Sequence, residues 1–272
     1  MGAWTLDDIP WQLFDATKLD PEIVRIVKAA ALVEYNGAAY AHHLCLVFAG
    51  DDDGFQDNAR RWGEEEVQHG AALARWAALA DPQFDFAAAF ARFQDGYRID
   101  FDADRSRRGS RAGEMLARCI VETGTSSYYT ALREAAAEPV LREICRRIAA
   151  DELRHYRLFY KTMRACLARE KLGSWSRLRI ALGRIAESED DELAYAYYAA
   201  NDSDAAYDRR RCARAYACRA YALYRPHHVE RVVAMVLKAA GLTPNGWLGR
   251  VVAGVSWRAM RWRVGQLAKN PA

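Results

Sequence analysis

The sequence contains two copies of the spacing Glu-x-x-His, each within a stretch that has the apolar periodicity of an α-helix. Glu66 and His69 form the first copy in WGEEEVQHG, and Glu152 and His155 form the second in ADELRHYRLF. Residues three positions apart on a helix project from one face, about one turn from each other. Each copy can therefore direct a carboxylate and an imidazole toward the same point.

A single glutamate in apolar surroundings precedes each copy. Glu34 lies 32 positions before Glu66, in AALVEYNGAAY, and Glu122 lies 30 positions before Glu152, in ARCIVETGTSSYY. Burying an unpaired carboxylate costs several kcal/mol, so glutamates that face a helical core need a compensating positive charge. The repeated order, a lone glutamate and then Glu-x-x-His, predicts one shared buried site.

Two closely spaced iron ions would supply that charge. A glutamate from each of two helices and a Glu-x-x-His pair from each of two others form the di-iron carboxylate pattern, in which two carboxylates can bridge the ions. One Glu-x-x-His spacing indicates little, but the repeated order favours a metal site over polar core residues. Manganese or a mixed manganese–iron pair takes similar ligands. The predicted metal ligands are Glu34, Glu66, His69, Glu122, Glu152 and His155.

Two acidic residues beside the predicted ligands are candidates for supporting them. A metal-bound histidine usually donates its second N–H group to a carboxylate. We expect Asp151 to support His69 and Glu65 to support His155, across the interior of the bundle. Exposed helix charges are the alternative interpretation of both residues.

The remaining histidines and cysteines are weaker candidates. His42-His43 and His227-His228 are adjacent pairs, and neighbouring side chains on a helix point apart, so neither is expected to be a ligand pair. The six cysteines form no CxxC pair. They are typical of small buried thiols in a reducing cytoplasm, and the absence of paired CxxC motifs disfavours a rubrerythrin-like protein.

The composition predicts an all-α fold. The chain is 51% hydrophobic, has 17 glycines and 7 prolines in 272 residues, and lacks alternating runs of β-branched residues. Asp20-Pro21, Asp51–Asp53, Ser110 and Pro139 are expected to begin four long helices. These helices, A to D, are predicted at about 21–49, 53–80, 111–136 and 139–171.

A long connection over about 81–110, with a short helix, joins helix B to helix C. Further helices are predicted at about 175–200, 204–224, 226–240 and 244–268. We divide the chain into an N-terminal extension, a four-helix bundle and a basic C-terminal helical region packed on the bundle, at 1–20, 21–172 and 173–272. Two long hairpins joined by a B–C crossover match a ferritin-like four-helix bundle.

Over about 21–170, these residues resemble the signatures of the ferritin-like di-iron carboxylate superfamily, and most closely those of the soluble acyl-carrier-protein desaturases. The signature Trp-x-x-Glu-Glu-x-x-His-Gly of helix B is matched by Trp62, Glu65, Glu66, His69 and Gly70. The signature Asp-Glu-x-x-His of helix D, often with Arg before the His, is matched by Asp151, Glu152, Arg154 and His155. Gln68 stands where desaturases usually have arginine.

The resemblance implies roles for these residues. Glu66 and Glu152 would bridge the two metals, and the other four ligands would be terminal. Thr125, one turn after Glu122, stands where the family has a threonine near its oxygen-binding position, so it is the candidate catalytic residue. A helix threonine bonded to a preceding carbonyl is the alternative.

The implied function is an O2-activating di-iron oxidoreductase, desaturase-like or hydroxylase-like, that acts on an apolar or acyl substrate. It would receive electrons from a ferredoxin or reductase. Because members of the family are commonly homodimers, the resemblance also implies a homodimer. The alternative is an iron-handling ferroxidase or a peroxide-scavenging protein without an organic substrate. A scaffold with a vestigial site is disfavoured because all six ligands are present.

The net charge of +3 conceals an asymmetry. Residues 205–272 contain 13 Lys and Arg and 2 Asp and Glu, a net charge of +11, which leaves −8 for the rest of the chain. Such a region suits binding to an acidic acyl carrier protein or to an anionic membrane surface, and suits nucleic acid less well. The alternative is that it is only a solvated arginine-rich surface without a partner. The start lacks a signal peptide and no apolar run is long enough to span a membrane, so we expect a cytoplasmic protein that can lie against the inner face of a membrane.

Overall fold

The computed structural model describes residues 4–50, 54–97, 106–187, 191–244 and 246–269. Every regular element in these ranges is helical, so the all-α prediction is confirmed. Three short 3-10 turns precede the first α-helix. The α-helices are α1 Pro21–Tyr35, α2 Gly37–Val47, α3 Phe55–Ala80, α4 Phe86–Gly96, α5 Arg111–Ala135, α6 Pro139–Arg169, α7 Ser174–Glu187, α8 Asp191–Asn201, α9 Arg209–Ala222, α10 Pro226–Ala240 and α11 Trp247–Lys269.

Local capping explains where the long helices begin. The side chains of Asp20 and Ser110 each accept a backbone N–H from the first turn of their helix, at 2.9 and 3.0 Å. Pro139 is the first residue of α6, as predicted, because its missing N–H is not needed there. The cap predicted at Asp51–Asp53 lies outside the described residues.

Helix A was predicted as one helix over about 21–49, and the structure divides it into α1 and α2 at Asn36. The backbone of Asn36 has φ −79° and ψ 6°, and its N–H donates to the carbonyl of Val33, three residues back, at 3.2 Å. This tighter turn lies just before a close helix crossing, because a Cβ atom on Gly37 would come within 2.3 Å of the Glu66 Cβ.

Two further boundaries differ from the prediction. The helix expected over about 175–200 is two helices, α7 and α8, and residues 188–190 between them are not described. α9 begins at Arg209 and not at 204, because the Asp208 side chain accepts the backbone N–H of Arg211 and caps the helix there. The short helix expected between helices B and C is present as α4.

Paired contacts show that neighbouring long helices form antiparallel hairpins. Glu34 on α1 lies beside His69 on α3, and Lys28, earlier on α1, forms a 3.0 Å ion pair with Asp81, just after α3. The first two N–H groups of α5 donate to the side chain of Glu170, just beyond the end of α6. The chain therefore turns back on itself twice, once in each half of its first 170 residues.

The helices α3 and α5 run in the same direction. Trp62 on α3 lies under the guanidinium of Arg118 on α5, 5.7 Å from its ring centroid. Fourteen residues later on α3, the indole N–H of Trp76 donates to Glu138, just after α5, at 2.7 Å. Because the residue numbers rise together along both helices, α3 and α5 are parallel.

The interior of these helices consists of two apolar clusters with a polar layer between them. One cluster contains Ile26, Leu73, Trp76, Leu132, Ile144 and Ile148. The other contains Leu44, Phe48, Trp62, Met115, Phe159 and Met163. The six predicted ligands occupy the layer between the clusters, so apolar packing on both sides positions them.

The helices α1 and α3 approach each other closely at Gly70, and a substitution there tests this contact. A Cβ atom at Gly70 would lie 2.3 Å from the backbone nitrogen of Tyr35, whereas one at the exposed Gly183 on α7 would meet nothing within 4 Å. We expect Gly70→Ala to lower the free energy of unfolding by about 1–3 kcal/mol through overpacking. Gly183→Ala should raise it by up to about 1 kcal/mol through helix propensity. Urea denaturation of the metal-free protein measures both, and equal stability of Gly70→Ala and the parent would contradict the close approach.

Candidate metal centre

The structure brings all six predicted ligands together in two overlapping groups. In each group, one ligand atom from every member lies within 4.8 Å of those of the others, and all members are buried. Glu66 and Glu152 belong to both groups. The first group is Glu34, Glu66, His69 and Glu152, and the second is Glu66, Glu122, Glu152 and His155.

The first group surrounds the Nδ1 atom of His69. This atom lies 3.8 Å from a carboxylate oxygen of Glu34, 3.6 Å from one of Glu66 and 3.4 Å from Oε1 of Glu152. Three helices, α1, α3 and α6, supply these residues. The imidazole nitrogen therefore faces three carboxylates at once.

The second group surrounds the Nδ1 atom of His155 in the same way. It lies 3.0 Å from Oε1 of Glu66 and 3.6 Å from Oε2 of Glu122. The rings of His155 and His69 are tilted against each other with centroids 5.8 Å apart. The two halves thus lie side by side in one interior space, with α5 supplying Glu122 to this half.

Unsatisfied polar atoms indicate what this space can hold. Among the described residues, five atoms at its centre are buried without a hydrogen-bond partner, and such atoms are rare in native interiors. Cations placed among them would satisfy all five, so the residues present fit a pair of metal ions. The atoms are Oε1 of Glu66, Nδ1 of His69, Oε2 of Glu122, Oε1 of Glu152 and Nδ1 of His155.

The electrostatics of the centre favour cations. Burial, together with the neighbouring carboxylates, raises the pKa of Glu34 and of Glu122 well above the usual range. Burial also acts to raise the pKa of Glu66, but His155 and His69 outweigh it and lower that pKa. Metal ligands must be deprotonated, so cations that bind here displace protons from the centre.

The two supporting contacts expected across the bundle are present. His69 Nε2 lies 3.1 Å from Oδ2 of Asp151, and His155 Nε2 lies 2.6 Å from Oε2 of Glu65. Arg154 donates to Asp151 at 2.6 Å and to Glu65 at 3.3 Å, which joins the two supports. Burial acts to raise the pKa of Asp151, but His69 and Arg154 lower it to about 2. An Asp151 anion accepts the Nε2 proton of His69, so Nδ1 is the atom that faces the carboxylates and that can bind a metal ion once it has lost its own proton.

Two further contacts with the centre were not anticipated from the sequence. The indole N–H of Trp4 donates to Asp151 at 2.7 Å, and its ring stacks on His69 with centroids 6.0 Å apart. The Tyr129 hydroxyl donates to Glu34 at 2.6 Å. Tyr129 follows Glu122 by seven residues, two turns along the same face, so helical spacing could have indicated it. Trp4 is 147 positions from Asp151, and no local pattern signals that contact.

Thr125 links the buried carboxylates to a more open side of the centre. Its hydroxyl lies 2.5 Å from Oε2 of Glu152 and 3.3 Å from the carbonyls of Val121 and Glu122, and its one proton can be donated to only one of these acceptors at a time. The adjacent Gly124 is exposed, and a Cβ atom there would meet nothing within 4 Å. The surroundings of Gly124 are therefore open, in contrast to the close packing at Gly37.

A third group combines Glu134 with His227 and His228, which corrects the expectation that this histidine pair points apart. The two rings are 4.0 Å apart, and each Nε2 atom lies 3.1 Å from the same oxygen of Glu134. Both histidines lie in the first turn of α10, where the side chains can turn back toward α5. The backbone N–H of Arg225 donates to Nδ1 of His228, which places the His228 proton on Nε2 and favours a hydrogen bond to Glu134 over a metal ion.

No protein-family model and no curated protein matches the chain. Fold and site together define an all-α protein with buried glutamate–histidine groups that could hold metal ions.

Asp151 offers a test of the supporting contacts. We expect Asp151→Asn to weaken metal binding by about 10- to 100-fold, because the neutral amide cannot hold the His69 proton on Nε2 as strongly. Asp57→Asn, at an exposed position on α3, is the matched control and should bind metal like the parent. Competition with a chelator measures both affinities. Equal affinity of Asp151→Asn and the parent would remove Asp151 from the metal centre.

Proposed function

We propose that α1–α2, α3, α5 and α6 form a ferritin-like four-helix bundle and that its centre holds two iron ions. The antiparallel hairpins and the shared direction of α3 and α5 support this topology, since a crossover connection is needed to produce it. The two overlapping ligand groups support the metal pair. Glu66 and Glu152 would contact both ions.

The observation that carries the proposal is the sharing of Glu66 and Glu152 between two complete groups of ligands. Four carboxylates carry four negative charges, which equal the positive charge of two divalent ions. Oxygen and imidazole nitrogen ligands without a thiolate suit iron or manganese. A single ion would leave part of this buried charge uncompensated.

On this basis we propose an O2-dependent oxidoreductase, desaturase-like or hydroxylase-like, that acts on an apolar or acyl substrate. A bound iron pair supplies the redox chemistry that couples O2 reduction to C–H cleavage. In a desaturation, the substrate loses two hydrogen atoms, an external donor such as a ferredoxin or reductase supplies two electrons, two protons enter from solvent, and O2 leaves as two water molecules. Reduction of O2 to water takes four electrons, of which the substrate supplies two and the donor the other two.

The described residues around the centre would have distinct tasks. The Thr125 hydroxyl holds a proton 2.5 Å from Oε2 of Glu152, and the Glu152 carboxylate can accept this proton when it shifts. Tyr129 positions Glu34 through its hydroxyl. The apolar cluster next to the centre, which contains Trp62 and Phe159, excludes water and suits an apolar chain.

Thr125→Val tests the proton-holding role. We expect turnover to fall by about 10- to 100-fold with unchanged metal content, because general acid–base catalysis contributes effects of this size or larger. Thr125→Ser should restore most of the loss, since it retains the hydroxyl. Thr130→Val, five residues later on the same helix, is the control, because its hydroxyl bonds only a backbone carbonyl and the Arg231 side chain among the described contacts. Parent-like turnover in Thr125→Val would exclude the role.

A second candidate function, iron oxidation without an organic substrate, is favoured by the positions of the cavities. Two cavities in the described part of the chain lie beside the end of α6 and between α9 and α11. None of the six candidate ligands lines either of them. A ferroxidase or peroxide scavenger needs no space for an acyl chain.

Mass analysis of the acyl product separates the two functions. Iron-loaded protein would be reduced without air and mixed with O2, with and without a long-chain acyl thioester, and the acyl chain would be analysed by mass spectrometry. A desaturase removes two mass units from the acyl chain, by the balance above. A hydroxylase adds sixteen, because with the same two electrons and two protons one oxygen atom enters the chain and the other leaves as water. Oxidation of the iron with an unchanged acyl chain, for thioesters of several lengths, would support iron handling and contradict the oxygenase.

A further inference from the structure

The last helix, α11, exposes large apolar side chains. Two of them are tryptophans: Trp247 is 72% exposed and Trp262 is 68% exposed. Most of the surface of both tryptophan side chains is therefore accessible. Exposed apolar groups that lie together on one surface indicate an interaction site. Besides the two tryptophans, the exposed apolar side chains of α11 are Leu248, Val251 and Val255, which are 44%, 52% and 58% exposed.

These residues form a stripe along one side of α11. At about 100° per residue, four of them fall within about 60° of the helix circumference. The opposite side packs against α10, where Ala253 joins the buried Val229 and Leu237. The outer stripe is therefore separate from the face that attaches α11 to the protein. The four residues of the outer stripe are Leu248, Val251, Val255 and Trp262.

Arginines border the stripe on both sides. Arg250, Arg258 and Arg261 lie on one side, with Arg258 next to Val251, and Arg263 lies on the other. The sequence from Trp247 to Lys269 contains five basic residues and no Asp or Glu. This face is thus apolar in the middle and positively charged at its edges.

A groove opens beside the stripe, between α9 and α11, with a cavity volume of about 320 Å³. Aromatic, apolar and cationic groups surround it, a combination that suits a small amphipathic group such as a lipid headgroup. Its lining residues are Tyr221, Ala259, Met260, Trp262 and Arg263.

We propose that the outer face of α11 docks flat on an anionic lipid bilayer. The stripe would enter the boundary between headgroups and acyl chains, and the arginines would extend to the phosphates, as in interfacial amphipathic helices. Among the described residues no helix is both long and apolar enough to cross a membrane.

The charge of α11 favours an anionic bilayer over a second copy of the chain at this face. Two α11 helices facing each other would place arginines against arginines, with no carboxylate on either helix to pair with them. An anionic bilayer supplies negative charge over the whole length of the helix. The inference is independent of metal binding, and if the proposed acyl chemistry is correct, the bilayer is a source of the substrate.

Vesicle sedimentation tests the proposal with the full chain. The protein would be mixed with vesicles of phosphatidylcholine, or of phosphatidylcholine with phosphatidylglycerol, at low and high salt. We expect binding to the phosphatidylglycerol vesicles that weakens as salt rises, because surface charges are screened. Binding should be the same with and without metal, which keeps this test separate from the test of the metal centre.

Two double variants locate the binding face. Val251→Ser with Val255→Ser should weaken binding by about tenfold or more, because both side chains lose apolar contact with the bilayer. Arg250→Gln with Arg258→Gln should weaken it by at least about tenfold, from a contribution of about fivefold per arginine. Leu79→Ser, at a 43% exposed leucine on α3, is the matched control and should bind like the parent.

Three outcomes would overturn the proposal. The first is no binding to phosphatidylglycerol vesicles at low salt. The second is equal binding by the parent and by Val251→Ser with Val255→Ser, since these exposed positions leave the fold intact. The third is a dimer, seen by light scattering, that this double variant converts to monomer, because the stripe would then be covered by a second copy of the chain.

Discussion

Replacing Glu66 with glutamine is expected to remove both metal ions from the centre, because this carboxylate belongs to both ligand groups. Glutamine has nearly the same shape, so packing around α3 should be preserved while one buried negative charge is lost. The parent should hold about two ions per chain and the variant less than one. Metal analysis after desalting measures the difference.

Three control variants sharpen this result. Glu34→Gln and Glu122→Gln each alter one group only, so each should retain about one ion per chain. Glu64→Gln, at an exposed position on the same helix, should retain both. If Glu66→Gln keeps as much metal as Glu64→Gln, the two groups do not share a ligand and the bridging arrangement is wrong.

Removing metal should lower the melting temperature of the protein by at least about 10 °C. A ligand that binds only the folded state stabilises it by about 4 kcal/mol when its concentration is a thousand times its dissociation constant. For a chain of this size, 1 kcal/mol corresponds to about 2–4 °C. Two such sites would therefore produce a large shift. Calorimetry of chelator-treated and iron-reloaded protein, both kept without air, measures it.

The physical reason is that the empty centre must bury polar and ionisable groups without a compensating cation. Without cations, five polar atoms have no partner and neighbouring carboxylates repel each other. Glu66→Gln should respond weakly to added iron, which separates binding at this centre from binding elsewhere. A parent protein whose melting temperature is unchanged by chelation would show that the centre contributes nothing to stability through metal.

The positions of the six candidate ligands could be predicted because each is a polar residue in an apolar helical stretch. Spacing along a helix determines which side chains share a face, so Glu66 and His69 had to lie together once α3 formed. The contact between Asp151 and His69 followed from the usual second partner of a metal-bound histidine. Such inferences need only helical geometry and the cost of buried charge.

Other features depend on contacts between distant parts of the chain. The break at Asn36 lies just before a crossing of two helices at Gly37, which the apolar periodicity of residues 21–49 does not reveal. Trp4 lies in a segment expected to be irregular, and only its hydrogen bond to Asp151 gives it a role. His227 and His228 converge because Glu134 lies opposite both rings.

The most direct test of the central claim is the metal content of protein purified from iron-supplemented cells, measured by mass spectrometry beside Glu66→Gln. We predict about two iron ions per parent chain and a loss of both in the variant. Less than half an ion per parent chain after anaerobic reloading with ferrous iron, or equal metal in parent and variant, would contradict a metal centre at these residues.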